Sequence, residues 1–424
     1  MAHEARALLA RIAVIRPFVL HETMVVAAAL STAAQTAIES YLAQGRRGLA
    51  AEVRAFLSWL SGPEAARTRP EELQRRFTLL RLRFNTVLSQ FDIFSIAVTQ
   101  RSENGIGVWL AGLDTLASDA LVLPGDYYEP PPLVCYLDRG LGAAIRRART
   151  RLPGGGENPV AIIRVPRERM VGAGIASSLI HEVGHQGAAL LGLLPSLRDP
   201  LVRAIRGAGP DARHWDAWYR WISEIVADFW SVATLGIAAS LGLMAVVSLP
   251  SVFVFRDNKD DPHPTPWIRM KLSCEMGNLL YPHPQWARLS SLWEQLYPTH
   301  RLAPSQRAEL SGLLRTMPAF VRLLAGHRPP ALRGRRLADA FPLGERQPAR
   351  LADLAKQAAR DPSLLRRMRP ALVFAVMGQG RVSGHLGPEV ESKLLEGLLT
   401  EWAVKSALDQ SAACATLPRR AMAA

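Results

Sequence analysis

Ala-Ser-Ser-Leu-Ile-His-Glu-Val-Gly-His-Gln, residues Ala176 to Gln186, is the stretch on which the reading of this chain turns. Around it Ile175, Leu179, Ile180, Val183 and Leu190 recur at helical spacing. The pattern predicts a helix from about Val171 to Leu194, stopped by Pro195. His181 and His185 are four residues apart, so they share one helix face about a turn from each other. Two imidazoles placed in this way can bind one Zn²⁺ at about 2.0–2.1 Å and leave room for further ligands. Glu182 follows the first histidine and can face an activated water, take its proton and deliver it to a leaving amine. Ten histidines in a chain of this length produce His-Glu-x-x-His by chance about once in a hundred chains. The apolar setting adds weight, because a buried polar cluster costs free energy unless its groups are satisfied.

Downstream, Ser223-Glu224-Ile225-Val226-Ala227-Asp228 offers a third ligand. Glu224 and Asp228 share a helix face, and their neighbours Trp221, Ile222, Ile225, Val226, Phe229 and Trp230 are apolar. A solvated acidic face is the ordinary reading of two acids at this spacing. The apolar flanks favour buried, paired acids, with Glu224 completing a His₂Glu site. Asp228 can then accept a hydrogen bond from a ligating histidine and fix its tautomer.

The motif His-Glu-x-x-His followed by Glu-x-x-Ala-Asp resembles the gluzincin metallopeptidases, in particular the branch holding the CAAX prenyl proteases and the heat-shock membrane proteases. That branch also carries His-Pro and, after four further residues, Arg; this chain has His263-Pro264-Thr265-Pro266-Trp267-Ile268-Arg269. The resemblance implies a zincin-like catalytic core with one zinc ion per chain and a protein or peptide substrate. It places His263 and Arg269 at the active site, against the oxyanion or holding the substrate and the ligand helix. A tetrahedral intermediate does need a donor or cation opposite the metal. In such folds an edge strand beside the motif helix pairs with the substrate backbone. Val160–Val165 is the candidate, with an ordinary core strand as the equal alternative. The likeness covers about residues 158–275. It departs from the branch in lacking several clear membrane helices, so substrate and location do not transfer.

The rest of the chain predicts an α+β fold that is predominantly helical, with a small sheet beside the motif helix. Residues 3–60 read as helix kinked at Pro17, and Pro63 and Pro70 mark helix starts. Leu133–Leu137 and Val160–Val165 read as strands, Leu141–Arg151 as a basic helix and Gly154–Gly156 as a loop. Residues 301–424 read as helices broken at 326–334 and 378–388. The expected division is an N-terminal helical region 1–123, a metallopeptidase core 124–300 and a C-terminal helical region 301–424. The run Trp215, Trp218, Tyr219, Trp221, Phe229 and Trp230 suits helix packing better than a specificity pocket. Tyr219 and Tyr281 are reserve donors.

Phe229 to Phe255 is uncharged for 27 residues, long enough to span a bilayer. Its glycines, its proline and the acids leading into it favour the buried centre of a helical domain. The expected location is therefore cytoplasmic, with membrane association through 229–255 as the alternative. The net charge of +14 invites a nucleic-acid partner, but only five of the 51 basic residues are lysine. That arginine bias, beside abundant Ala, Gly and Pro, is what GC-rich codons produce. The densest block, 333–369, has ten basic residues interleaved with four acidic ones. No specific nucleic-acid partner is expected. Cys135, Cys274 and Cys414 cannot form a disulfide framework. The competing functional class is a zincin-like scaffold that binds a partner without turnover; an intact Glu182 argues against it.

Overall fold

A computed structural model describes residues 1–139, 142–153, 155–166, 174–256 and 260–416, with side chains as far as Ala413. It is predominantly helical with one three-stranded sheet. Helix α1 (Ala2–Val14) ends before Pro17, and α2 (Thr32–Leu60) starts where Ser31 Oγ accepts the Ala34 N–H at 3.1 Å. The expected kinked helix over 3–60 is thus two helices. Proline removes a donor and turns the residue before it away from the helical region, which ends α1 early. Helices α3 (Pro63–Arg67) and α4 (Pro70–Thr99) each begin on their proline, where the missing N–H would have had no helical partner. Helix α5 (Asn104–Leu121) leads to the sheet.

Strand β1 (Leu133–Asp138), β2 (Ala144–Arg146) and β3 (Ala161–Pro166) lie in the order β1-β3-β2. β3 is parallel to β1 and antiparallel to β2. Side chains alternate between two apolar layers. Leu133, Cys135, Leu137, Ala161, Ile163 and Val165 face the main core. Val134, Val160 and Ile162 pack under the apolar faces of α1, α2 and α4. Two expectations change here. The basic helix over 141–151 is instead β2 followed by a turn, with Leu141 outside the described residues. Helix propensity is a weak prior, and pairing of Ile145 with Ile163 overrides it. The strand at 160–165 is the centre of the sheet, paired on both sides, so it has no free edge. The edge nearer the motif helix belongs to β2.

Helix α6 (Gly174–Leu190) carries the motif; the expected start at Val171 lies outside the described residues. Gly192, at φ +60°, ends that run, and α7 (Leu193–Gly207) holds Pro195 in its first turn. Pro195 therefore opens a helix rather than stopping one, since a proline there sacrifices no helical hydrogen bond. Helix α8 (Ala212–Arg220) and α9 (Ile222–Leu235) follow, and α9 packs along α6. Glycines make that approach close. A Cβ on Gly184 would stand 2.9 Å from Ala227 Cα, and one on Gly187 would stand 2.3 Å from the Trp230 ring.

Gly236, at φ +58°, separates α9 from α10 (Ile237–Val247), and α11 (Ser251–Val254) is one further turn. The uncharged stretch is thus cut into short pieces. Among the described residues no helix is long and apolar enough to cross a membrane. α10 is instead surrounded by α6, α9, α12 (Pro266–Leu280) and a later helix, α17 (Pro370–Val382). Next come α13 (Pro284–Leu296), α14 (Pro304–Gly326), α15 (Pro348–Arg360), α16 (Ser363–Arg366), α17 (Pro370–Val382) and α18 (Pro388–Thr416). α18 returns to pack on α5, where a Cβ on Gly112 would stand 2.5 Å from the Leu399 carbonyl oxygen. One apolar core accordingly runs from Leu110 to Trp402, with the motif helix inside it.

Candidate metal centre

Helix periodicity sets the first half of the site. His181 and His185 project from the same face of α6, their rings 4.9 Å apart and nearly perpendicular at 86°. The facing helix α9 supplies Glu224 from its first turn and Asp228 one turn later. Glu224 Oε2 stands 3.2 Å from His181 Nε2 and 3.5 Å from His185 Nε2. Around a tetrahedral zinc with bonds of 2.0–2.1 Å, two ligand atoms sit about 3.3 Å apart. Both His–Glu edges therefore match a shared ion, and the three donor atoms all lie within 4.8 Å of one another. The donor set, two imidazoles and a carboxylate, also suits zinc chemically.

Asp228 locks this geometry. Its Oδ1 is 2.8 Å from His181 Nδ1; an imidazole that donates there leaves Nε2 facing the centre, as a lone pair when neutral and as a donor to Glu224 when protonated. Arg269, from α12, grips the same carboxylate in a fork, Nε to Oδ2 at 2.7 Å and Nη2 to Oδ1 at 2.8 Å. The ladder Arg269–Asp228–His181 ties three helices together behind the His181–His185–Glu224 cluster.

The electrostatics follow from burial and pairing. Burial disfavours a charged His181, yet the Asp228 carboxylate outweighs it and holds the metal-free imidazole up at about 9. Burial would raise Asp228, but Arg269 and His181 hold it well below the usual carboxylate range. Burial would likewise raise Glu224, and hydrogen bonds from His181, His185 and His263 hold it far below. The cluster thus sets two carboxylates against one guanidinium and three imidazoles.

His263 lies at the mouth, with Nε2 3.1 Å from Glu224 Oε2. Its Nδ1 is 2.7 Å from Asp261 Oδ1, which also accepts the His263 backbone N–H. The Glu224 hydrogen bond raises its pKa, against burial. Glu182 is buried and lines a cavity of about 170 Å³ together with His181, Asp228, Arg269, Ser177 and Ala143 of the β2 approach.

All seven residues singled out in the sequence (His181, Glu182, His185, Glu224, Asp228, His263 and Arg269) thus converge on one place. The reserve donors do not. Tyr281 donates its hydroxyl to the Ala233 carbonyl in the core, and Tyr219 accepts from Arg198. Of the aromatic run, Trp218 stacks on Phe320 and Trp230 donates to the Ala120 carbonyl, which is core packing. Cys135 and Cys274 are buried and free, and the Cys414 side chain lies outside the described residues. Two residues had escaped the sequence reading. Asp261 orients His263 and stands two residues before it, a spacing that was visible. Gln186 accepts the Ala148 N–H at 2.9 Å and so fastens the turn after β2 to α6; nothing local announces that contact. No protein-family model matches the chain, and no curated protein and no solved structure matches it either.

Proposed function

We propose that the chain is a zinc-dependent peptidase of the gluzincin type, built on a zincin-like core. One observation carries the reading: a His₂Glu donor set whose two His–Glu separations fit a shared ion, an orienting Asp228 behind it and Glu182 beside His181 in one cavity. A bound zinc ion would lower the pKa of a water towards about 7 and polarise the scissile carbonyl. His181, His185 and Glu224 would hold that ion. Glu182 takes the proton from the attacking water as its oxygen adds to the carbonyl carbon. The same carboxylic acid then returns the proton to the amine nitrogen as the C–N bond breaks. His263, oriented by Asp261 at the mouth of the site, is the donor placed to meet the developing oxyanion. Arg269 has its Nε and Nη2 on Asp228, so it positions the ligand helices rather than the substrate. The substrate backbone pairs with the outer side of the edge strand β2, whose approach residues Gly142 and Ala143 line the Glu182 cavity. The substrate is a protein or peptide, and the free buried cysteines suit a reducing, cytoplasmic setting.

Glu182→Gln tests the assignment. We expect about one zinc per chain by metal analysis, unchanged from wild type, and chelator-sensitive cleavage of an unfolded protein reduced about a hundred- to ten-thousand-fold. Full activity in that variant would refute the role of Glu182. A zinc-loaded wild type that cleaves nothing would leave a binding scaffold.

A further inference from the structure

The cavity at Glu182 does not end at the metal position. A second cavity, about 200 Å³, shares His263 and Arg269 with it and continues past Pro264 and Val247. A third, about 590 Å³, shares Trp221 and Thr265 with the second. The three adjoin through these shared residues, from the β2 approach, past His181, Glu182 and His263, to the groove between α8 and α14, and together they outline a trough.

The wide end of the trough has a definite chemistry. Its walls are Trp221, Phe255, Leu302, Leu310 and Leu313. The charges there are neutralised in pairs, Arg220 Nε with Asp216 Oδ2 at 3.3 Å and Arg213 Nη2 with Glu309 Oε2 at 3.4 Å. Paired charges above an apolar wall give no net field to draw an ionic group. They do leave apolar area for a side chain to cover, and the volume is in the range of ligand sites and exceeds one side chain.

We propose that this trough receives the substrate chain on the His263 side of the scissile bond, and that its wide end selects bulky apolar side chains. The substrate class is then an extended, unfolded polypeptide rich in aromatic and large aliphatic residues. A folded domain keeps such residues inside, and only an extended strand can follow the trough from β2 to α14. The inference rests on the peptidase reading for its placement of the scissile bond.

Binding to the zinc-loaded Glu182→Gln protein tests it without turnover. The probes are a fluorescein-labelled twelve-residue Ala/Ser peptide carrying one Phe-Leu pair, moved along the sequence, and the same peptide with Ser-Ser. In at least one register the Phe-Leu peptide should bind on the order of tenfold more tightly. Ala308 is exposed on α14 and lines the wide end, so Ala308→Trp fills that end without touching the core. It should erase the preference, as should Ser305→Trp, which serves if the first variant folds poorly. Equal affinity for both peptides, or a preference that survives filling, overturns the proposal. Wild-type cleavage of the same peptides separates the two readings. A preference that filling removes, with no cleavage by wild type, defeats the peptidase reading and leaves the trough. Cleavage of both peptides at equal rates defeats the trough and leaves the peptidase.

Discussion

The cluster where α6, α9 and α12 meet and the arginine-rich block at 333–369 use the same ionisable chemistry to opposite ends. In the first, Asp228, Arg269 and His181 are almost wholly removed from water and Asp228 is bonded to both of the others. In the second, arginines pair with nearby acids at the surface, Arg336 with Asp339, Arg366 with Glu401 and Arg369 with Asp119. Arg346 is the exception; it is buried and donates to the Thr234 carbonyl. A lost partner in the buried set leaves an orphaned charge, whereas one at the surface is replaced by water. The +14 charge therefore says little about where the site lies, and the few buried groups of both signs mark it.

The largest effect should come from the metal ligands. His185→Ala leaves one imidazole and one carboxylate, and zinc content should fall from about one per chain to near zero, with cleavage lost alongside. Together with Glu182→Gln, which should keep the metal, it separates holding the ion from moving the proton. Retention of stoichiometric zinc by His185→Ala would remove the residue from the ligand set.

Asp228→Asn comes next. It keeps a hydrogen-bond acceptor near His181 but removes the charge that Arg269 grips. Zinc affinity should drop about ten- to a hundredfold. The protein should also lose stability on the order of 3–5 kcal/mol, because a buried guanidinium is left without its counter-charge. Arg269→Met in the same background should recover part of that loss without restoring the metal affinity. If the double variant is no more stable than the single one, the ladder is not the coupled unit drawn here.

The same ladder predicts opposite responses to pH in the metal-free and metal-loaded forms. The metal-free His181 pKa is raised from 6.5 to about 9. Its pairing thus stabilises the fold fully below pH 6.5, and that contribution is lost as the pH rises through about 9. Asp228 is depressed, so its contribution is present above the unfolded carboxylate value and disappears as the pH falls below it. Zinc competes with the proton on His181, so its stabilisation grows over the same pH 6.5–9 window. At constant buffered free zinc, the gap between the two melting temperatures should widen steadily from pH 6 to pH 9. Parallel curves would show that His181 does not bind the metal.

How much of this was legible in sequence differs between the two kinds of region. His181, Glu182 and His185 were readable because helix geometry alone sets their relation. Glu224 and Asp228 were readable because their neighbours are apolar. Leu133–Leu137 and 160–165 showed as strands, since side chains there alternate between two buried layers. What was not legible depends on partners far away in the chain. β2 has only Ala144, Ile145 and Arg146, and becomes a strand by pairing with β3. Which strand forms the edge is likewise a property of the whole sheet. Pro195 was visible, but Gly192, three residues earlier, decided whether it would close one helix or open the next.

A smaller effect tests how tightly the buried region is built. Gly187 stands against the Trp230 ring, where an added Cβ would be 2.3 Å from the nearest carbon. Trp230 is itself fully buried and fixed by its bond to the Ala120 carbonyl, so it has little room to yield. Gly187→Ala gains helix propensity but must push α6 from α9, at a net cost of about 1–3 kcal/mol. Because α9 carries Glu224, the same displacement should weaken zinc binding although residue 187 touches no ligand. The surface counterpart is Arg336→Ala, which removes an exposed pair with Asp339. There the melting temperature and zinc affinity should both stay within experimental error. If Gly187→Ala were as silent as Arg336→Ala, the close α6–α9 contact would not be what holds Glu224 within reach of the two histidines. The geometric basis for the metal centre would then have to be sought elsewhere.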